Sequence, residues 1–443
     1  MSEVPNVLVL ESIRPQNAGT GAQTLAYGGL LAAVCEYGAT NRARQAEFWA
    51  APEGTLEEQG CAADLAKEYL VDTAERAVYA EPEHRALWAK RFTDASIELY
   101  GEPDRDEAAR LLLGEYRLLK QLEGSDRIAQ GRVRFLLDTY RPIIESLGGS
   151  AEDIGTSDLL AERQAIREYG QAVREKYQPI FDLVNRAGKE EFGPDDMLGV
   201  FSDALEWLRT NEGSEWDDWE VALHNKTAMS VVPSKKLIKI AAQRRPATAG
   251  EVVGLLGHEL LTHGLRSKNG YAQDDRRLAI GLSGYIDSEE GLGILTEEAL
   301  LGTLPDKAYD RYLDIALALG TIDGRRRTRQ ELFDISYTRQ LIRNRLRGDL
   351  TMTAGELVPV VWAHVDRIYR GGRGDGDAEE QAIFTRDISY YVGYKRMAAY
   401  LAEQRAAGKT AAEIFEYLSR GKFDPTNPQH VEYVDSIYAA RQD

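Results

Sequence analysis

Two histidines and a glutamate stand close together in one apolar segment, His258-Glu259-Leu-Leu-Thr-His263. Neutral imidazoles and carboxylates are ligands that zinc prefers, and a catalytic zinc site keeps one position open for water. A neighbouring carboxylate can take a proton from that water. Only 6 histidines occur among the 443 residues, so two of them in one segment are an informative signal. The segment predicts a metal site with His258 and His263 as ligands and Glu259 as general base.

The spacing of the two histidines does not suit a regular α-helix. Residues four apart lie about 40° apart around the helix, whereas residues five apart lie about 140° apart. A π-bulge, which widens one turn, would bring both imidazoles to one face, and such bulges are frequent at functional sites. Unwinding at Thr262-His263, next to Gly264, would be another solution. If neither occurs, the two histidines are unrelated, one of them buried and the other at a helix end.

A third ligand is required, and the segment Asp287-Ser-Glu289-Glu290 offers two nearly equal candidates, Glu289 and Glu290. Asp287 and Glu290 also fit a capping box at the start of a helix, which would be a structural role. His224, on a predicted strand beside the motif helix, is a weaker candidate. The remaining histidines are isolated in the sequence, which indicates structural or surface roles: His84, His364 and His430.

The elements around the motif can be read from local patterns. Thr248-Ala-Gly-Glu251 fits a capping box at the start of an apolar helix, Val252 to His263, which Gly264 would end. Three extended segments precede this helix, with a turn at Pro233-Ser234 between the last two: Glu220 to His224, Ala228 to Val232 and Leu237 to Ala241. We therefore expect a small sheet beside the motif helix.

Apolar residues at helical spacing predict a helical region upstream of that sheet. The stripes cover Asp104 to Leu122, Arg132 to Leu147 and Leu159 to Arg186. The fold class predicted is α+β, predominantly α-helical, with three parts along the chain. Residues 1–66 form an N-terminal extension of unreadable role, residues 67–194 a helical region, and residues 195–443 the core that carries the motif. The Gly-rich run at residues 370–377 is predicted to be a mobile loop.

Composition excludes some classes of protein. The 54 Lys and Arg against 72 Asp and Glu give a net charge of −18, which argues against a protein that grips nucleic acid. No segment is long and apolar enough to predict a membrane span, and the apolar run Val7 to Leu10 is too short for a signal peptide. Cys35 and Cys61 are predicted to be ordinary thiols. We therefore expect a cytoplasmic protein with neither nucleic acid nor membrane as partner.

Four motifs, in order, resemble those of one family. They read HELLTHGLRSKNG, SEEGLG, YRGG and FTRDISYYVGY, and the segment ASIELYGEP precedes them. Together they are similar to the microtubule-associated tyrosine carboxypeptidases and their bacterial relatives with a Gln-Glu-Gly-Leu-Ala motif. The similarity runs from about residue 85 to about residue 420 and leaves out residues 1–66. It implies a zincin-like, zinc-dependent peptidase of the gluzincin type.

The resemblance assigns roles position by position. It implies that His258, His263 and Glu290 bind Zn²⁺, and that Glu259 is the general base and later the proton donor. The sequence departs from the family motif at Glu289, where the family has Gln, and at Gly293, where it has Ala.

The first motif and the two last ones supply further candidates, because the reaction needs a second donor to the oxyanion and a group for the substrate carboxylate. The candidates for the oxyanion are Tyr391, Tyr390 and Arg370. The candidates for the carboxylate are Arg266, Arg370 and Arg386, which the sequence does not rank; Arg266 would alternatively cap the end of the motif helix.

The function expected is hydrolysis of peptide bonds, with removal of C-terminal residues from a peptide or protein. The nearest alternative is an endopeptidase, or a maturation protease for a precursor peptide, with the same zinc site. An alternative of another class is a helical binding or regulatory protein with a structural metal site, against which Glu259 speaks, because a structural site needs no general base. Tubulin, the substrate of the animal members, is not carried over to this chain.

Overall fold

A computed structural model of the chain describes residues 80–125, 128–148, 160–225, 229–273, 275–347, 353–370 and 376–440, together with residues 70, 73–74 and 76–77. The N-terminal extension, with the predicted strand Val7 to Leu10 and the two cysteine thiols, lies outside the described residues. So does most of the predicted loop at residues 370–377.

Helices dominate the described residues and are numbered here in chain order. The first five are α1 (Arg85–Tyr100), α2 (Arg105–Leu122), α3 (Gln130–Ser146), α4 (Leu160–Ala187) and α5 (Pro194–Glu212). The next five are α6 (Ala249–Leu255), α7 (Leu265–Tyr271), α8 (Arg277–Ile280), α9 (Ile286–Leu301) and α10 (Asp306–Leu319). The last five are α11 (Arg329–Arg347), α12 (Ala354–Ile368), α13 (Ser389–Ala406), α14 (Ala411–Leu418) and α15 (Pro428–Ala439).

The strands are short and lie between α4 and α6. They are β1 (Glu191–Phe192), β2 (Glu220–His224), β3 (Ser230–Val232), β4 (Leu237–Ala241) and β5 (Ala247–Thr248). The predicted class, α+β with mostly helices, is confirmed. The three upstream helices and the extended segments lie where the sequence predicts them, with ends that differ by a few residues.

The chain divides into two compact units, each built from two stretches. Unit 1 comprises residues 1–157 and 309–388, and unit 2 comprises residues 158–308 and 389–443. The predicted division at residues 66 and 194 follows the order of the chain and stays a prediction. Local patterns report helices and strands, but they do not report that the chain leaves one unit and returns to it later.

Unit 1 is helical in its described part. Helix α3 packs against both α2 and α11, and α11 packs against α12. A small apolar cluster lies around Phe92 of α1 and Phe384, whose rings are 6.2 Å apart. Burial of these apolar faces is what holds the helices together, because isolated helices of this length are marginal in water.

Unit 2 contains the strands and the motif helix. Strands β2 and β4 pair in parallel, β3 pairs with β4 antiparallel, and the strand order is β2-β4-β3. Among the described strands β3 is therefore at an edge of this sheet, and both β3 and β4 contact the motif helix. The predicted sheet beside the motif helix is confirmed.

The core of unit 2 joins α4, α5, α9, α13 and α14 around the motif helix. The capping box that starts this helix is formed, because the amide of Glu251 donates to the Thr248 hydroxyl and the amide of Thr248 donates to the Glu251 carboxylate. Within the described part of the chain, no helix combines the length and apolarity that crossing a membrane requires.

Candidate metal centre

The motif segment forms a π-helix from Leu256 to Gly264, between α6 and α7. The amide of Leu265 donates to the carbonyl of Leu260, five residues earlier, and the Thr262 hydroxyl donates to the carbonyl of Gly257 over 2.9 Å. This pattern brings residues five apart onto one face, as the spacing of the histidines demands. The predicted bulge is confirmed. The predicted end at Gly264 is wrong, because Gly264 keeps helical angles and the helix continues to Tyr271.

The two imidazoles meet on one face of the π-helix. Their ring centroids lie 4.8 Å apart with planes inclined by 78°, and both side chains are buried. The Nε2 atom of each imidazole lies 3.9 Å from the same atom, Oε2 of Glu290. In the described residues these three side chains form the group whose ligand atoms all lie within 4.8 Å of one another.

Helix α9 presents Glu290 to this face. The helix begins at Ile286 after Tyr285, without a side-chain cap, so the capping box proposed for Asp287 and Glu290 is wrong. The approach of α9 to the π-helix requires Gly293, where a Cβ atom would lie 2.7 Å from the imidazole of His258. Because that space is taken by a metal-ligand candidate, Gly293 positions His258 against α9.

A second pair of glycines sets α9 against α13. A Cβ atom at Gly393 would overlap the carbonyl oxygen of Asp287, and one at Gly291 would overlap the backbone of Gly393. The SEEGLG and ISYYVGY motifs therefore meet in unit 2 at a close crossing of backbones, which gives their glycines a packing role.

The far nitrogen of His263 is held by Glu289. Its Nδ1 lies 2.8 Å from Oε1 of Glu289, and that carboxylate also binds Arg266 at 2.5 Å and Lys422 at 2.8 Å. Burial alone would raise the pKa of Glu289, but Lys422, Arg266 and His263 outweigh it and hold the pKa well below its usual range. The lowered pKa favours the ionised form of Glu289, and this carboxylate orients the imidazole of His263.

The far nitrogen of His258 faces a carboxylate as well. Its Nδ1 lies 2.5 Å from Oε1 of Glu297, although the angle falls short of a well-formed hydrogen bond. Glu297 also pairs with Lys307, and this lysine and His258 outweigh burial and lower the pKa of Glu297 to about 2. Each histidine thus has a carboxylate at Nδ1, and both Nε2 atoms are directed to Glu290.

The carboxylate of Glu259 is held differently from its neighbours. It is 9% exposed, and among the described residues no group donates a hydrogen bond to it or forms an ion pair with it. The charge of Arg244 interacts with it without a direct pair. Among the described residues, both oxygens of Glu259 are thus without a donor, an arrangement that would suit a general base.

The donor set fits zinc. It offers two imidazole nitrogens and one carboxylate oxygen, which is a ligand set of catalytic zinc sites. The 3.9 Å separations between Glu290 and each imidazole lie below the ~4.2 Å that two bonds of about 2.1 Å to one ion allow. A carboxylate on the other ring nitrogen of a ligating histidine is also typical of metal sites.

The predicted substrate role of Arg266 finds no support in its contacts. Arg266 is 1% exposed, binds Glu289, and donates to the carbonyls of Gly421 and Phe423 over 2.7 Å each. Its donors are thus directed to groups of the chain itself, and they neither cap the motif helix nor face solvent. This geometry gives Arg266 a contact that orients Glu289, and its predicted substrate role stays a prediction.

The other candidates divide between the units. Tyr390 and Tyr391 lie on α13 of unit 2, and α13 packs against α9, which carries Glu290. Arg370 and Arg386 belong to unit 1. Burial and the charge of Arg367 lower the pKa of Arg370 to about 9, and its guanidinium lies 5.9 Å from the ring of Phe384. The proposed roles of these four residues stay predictions.

Three residues near the site, Glu297, Lys307 and Lys422, are not indicated by the sequence motifs. Glu297 had a signal, because it lies seven residues after Glu290 and therefore on the same face of α9. Lys307 and Lys422 had none, since each reaches the site only through the tertiary fold. His224, the weaker ligand candidate, lies on β2 and is not part of the cluster.

Comparison with protein families, with curated proteins and with solved structures finds no match for this chain.

Proposed function

We propose that this protein is a zinc-dependent peptidase with a zincin-like catalytic core in unit 2. The observation that carries the proposal is the convergence of His258, His263 and Glu290, with a carboxylate at the Nδ1 atom of each histidine. The resemblance of the four motifs to the tyrosine carboxypeptidase family supports the same reading. His258, His263 and Glu290 would hold the ion, which supplies Lewis-acid activation of water and of a peptide carbonyl.

The residues of the chain account for the proton transfers. Glu259 accepts a proton from water as the water oxygen attacks the peptide carbonyl carbon, and later donates that proton to the departing amine as the C–N bond breaks. Glu289 and Glu297 hold the imidazoles in the tautomer that leaves Nε2 unprotonated towards the ligand position. Tyr391 is the proposed second donor to the oxyanion in unit 2.

The substrate proposed is a peptide or protein from which C-terminal residues are removed. Strand β3 gives it a place to bind, because an edge strand can pair with an extended peptide through backbone hydrogen bonds. β3 also contacts the π-helix, so a peptide on this edge lies beside the helix that carries Glu259.

Metal analysis together with a peptide library read by mass spectrometry tests the proposal. The wild type is expected to contain one zinc per chain and to shorten peptides, and Glu259→Gln to keep the zinc but lose about 10²–10⁴-fold in rate. Glu206→Gln is the matched control, because Glu206 is an exposed carboxylate of α5 in the same unit. A wild type without metal and without cleavage, or full activity in Glu259→Gln, would refute the proposal.

A further inference from the structure

Unit 2 contains an arginine near the general base that the sequence motifs do not include. Arg244 lies in the turn after β4, where its amide donates to the carbonyl of Ala241. Its side chain is partly buried, and its charge interacts with those of Glu259 and Glu297. Arg244 therefore lies within electrostatic reach of both the general base and the carboxylate that faces His258.

The guanidinium of Arg244 has few partners in the chain. Nη1 contacts the sulfur of Met229 at 3.2 Å, and Nε is buried without a hydrogen-bond partner among the described residues. No carboxylate in the described part of the chain forms an ion pair with it. A thioether is a weak acceptor, so most of the five N–H donors of this guanidinium are left for an anion.

The carboxylates around Arg244 do not fully offset the effect of burial on its guanidinium. Burial lowers the pKa of Arg244 and the like charge of Arg245 adds to this, while Glu251, Glu259 and Glu297 offset only part of the effect. Arg245, the next residue, shows the contrast, because it is exposed and binds Glu251 at 2.6 Å. A half-buried guanidinium without a pair is costly unless a ligand completes it.

We infer that Arg244 binds the C-terminal carboxylate of the peptide substrate. A guanidinium binds a carboxylate through two parallel hydrogen bonds, which gives both affinity and orientation. The inference rests on the proposed peptidase function and adds the residue that recognises the free terminal carboxylate of the substrate.

The position of Arg244 beside the edge strand β3 supports the same inference. Met229 precedes β3, so Arg244 lies at the N-terminal end of that strand. A peptide paired antiparallel with β3 runs in the opposite direction and brings its own C-terminus to that end. The peptide bonds next to that terminus then lie along the strand that contacts the π-helix. This arrangement selects C-terminal trimming over an internal cut.

Two hexapeptide libraries of identical composition test the inference, one with a free C-terminal carboxylate and one with a C-terminal amide. The wild type is expected to cleave the free acids with a kcat/KM about 10–100-fold above that for the amides. The free energy of a hydrogen bond between charged groups corresponds to a ratio of about this size. Arg244→Gln is expected to bring the ratio close to one, mainly by raising KM for the acids. Arg244→Lys keeps the charge without the paired donors, and its ratio of kcat/KM for acids to that for amides is expected to lie between those of the wild type and Arg244→Gln.

Binding without catalysis gives an independent readout. In the Glu259→Gln background, fluorescence anisotropy should show a preference for the acid library that Arg244→Gln removes and the neighbouring control Arg245→Gln retains. If Arg244→Gln lost the same activity on acids and on amides, the inference would be overturned in favour of a role of Arg244 in the chemical step. A wild type that does not prefer the acids would also overturn it. Absence of zinc, or of any cleavage by the wild type, would instead be a failure of the proposed peptidase. If Arg244→Gln does not fold, the acid-to-amide ratio of Arg244→Lys decides the test, and an unchanged ratio would overturn the inference.

Discussion

Both units contain a histidine bound to a buried carboxylate, but the two arrangements differ in what they leave open. In unit 1, Nε2 of His364 lies 2.8 Å from Asp314, which also accepts from Ser336 and pairs with Arg339. Arg339 also pairs with Asp310 and Glu115, so the network closes on itself. In unit 2, one carboxylate lies beside Nδ1 of His258 and another beside Nδ1 of His263, and both Nε2 atoms lie 3.9 Å from Oε2 of Glu290.

The difference teaches how to separate a structural cluster from a ligand site. Residue types do not separate them, because histidine, carboxylate and arginine occur in both. What separates them is whether the charged side chains pair with one another or direct their ligand atoms towards one shared point. In unit 1 the three carboxylates are matched by Arg339, Arg343 and His364. In unit 2 three ligand atoms face one point, which is the pattern that a metal ion completes.

The largest expected effect separates the two histidine sites directly. His263→Ala removes one ligand nitrogen and is expected to reduce the zinc content from about one per chain to near zero and to abolish hydrolysis. His364→Ala removes a partner of Asp314 and is expected to leave zinc content and activity unchanged. Metal analysis by mass spectrometry measures the zinc content of both variants, and the peptide library measures their activity. Loss of zinc in His364→Ala with the fold intact would contradict the comparison.

A smaller effect is expected when the orienting carboxylate is neutralised. Glu289→Gln keeps the ligands but weakens the hold on His263, and zinc affinity is expected to fall about 10–100-fold. Asp314→Asn removes a partner of Arg339 in unit 1 and is expected to cost about 3 kcal/mol of stability, because a buried charge loses its pair. Its zinc affinity should stay within twofold of the wild type. Chelator competition and denaturant unfolding provide the two measurements.

The two regions are expected to respond to pH in different windows. Burial lowers the pKa of His263, but Glu289 and Glu290 outweigh it and raise the net pKa above 6.5. Because a proton competes with the metal for this imidazole, zinc affinity should decline as pH falls below the raised pKa of His263.

The network of unit 1 should persist to much lower pH. Burial opposes the ionised form of Asp314, but Arg339 and His364 lower its pKa from 3.8 to about 2. Its stabilising contribution is complete above pH 3.8 and is lost as pH falls towards 2. Circular dichroism of wild type and Asp314→Asn between pH 2 and pH 6 measures this, and equal acid sensitivity of the two proteins would contradict it.

The smallest effect concerns the wide turn itself. Thr262→Val removes the hydroxyl that donates to the Gly257 carbonyl, and it is expected to cost about 1 kcal/mol of stability and a few-fold in zinc affinity. Thr338→Val is the control in unit 1, because the Thr338 hydroxyl donates to the carbonyl of Asp334 on an exposed face. The control should keep the zinc affinity of the wild type. Equal zinc affinities for the wild type and both variants would show that the Thr262 hydroxyl does not contribute to the site.

The sequence predicted those features of the site that depend on local spacing. The five-residue separation of His258 and His263 demanded a widened turn, and the capping box at Thr248 marked where its helix begins. The predicted end at Gly264 failed because glycine ends a helix only where the chain leaves helical angles, and packing inside unit 2 keeps it helical. Lys422 and Arg244 could not be predicted, since both reach the site through folding of distant segments.

The π-helix has a thermodynamic consequence for the ion. If Leu256 to Gly264 adopted α-helical hydrogen bonds, His263 would turn about 100° away from the shared face, because each residue of an α-helix advances by that angle. A metal ion held by His258, His263 and Glu290 would then bind one hydrogen-bonding register of the backbone and not the other. Register and occupancy are coupled, so each favours the other by the same free energy. Under the proposed function, binding of the metal would therefore also select between two ways of winding one helix.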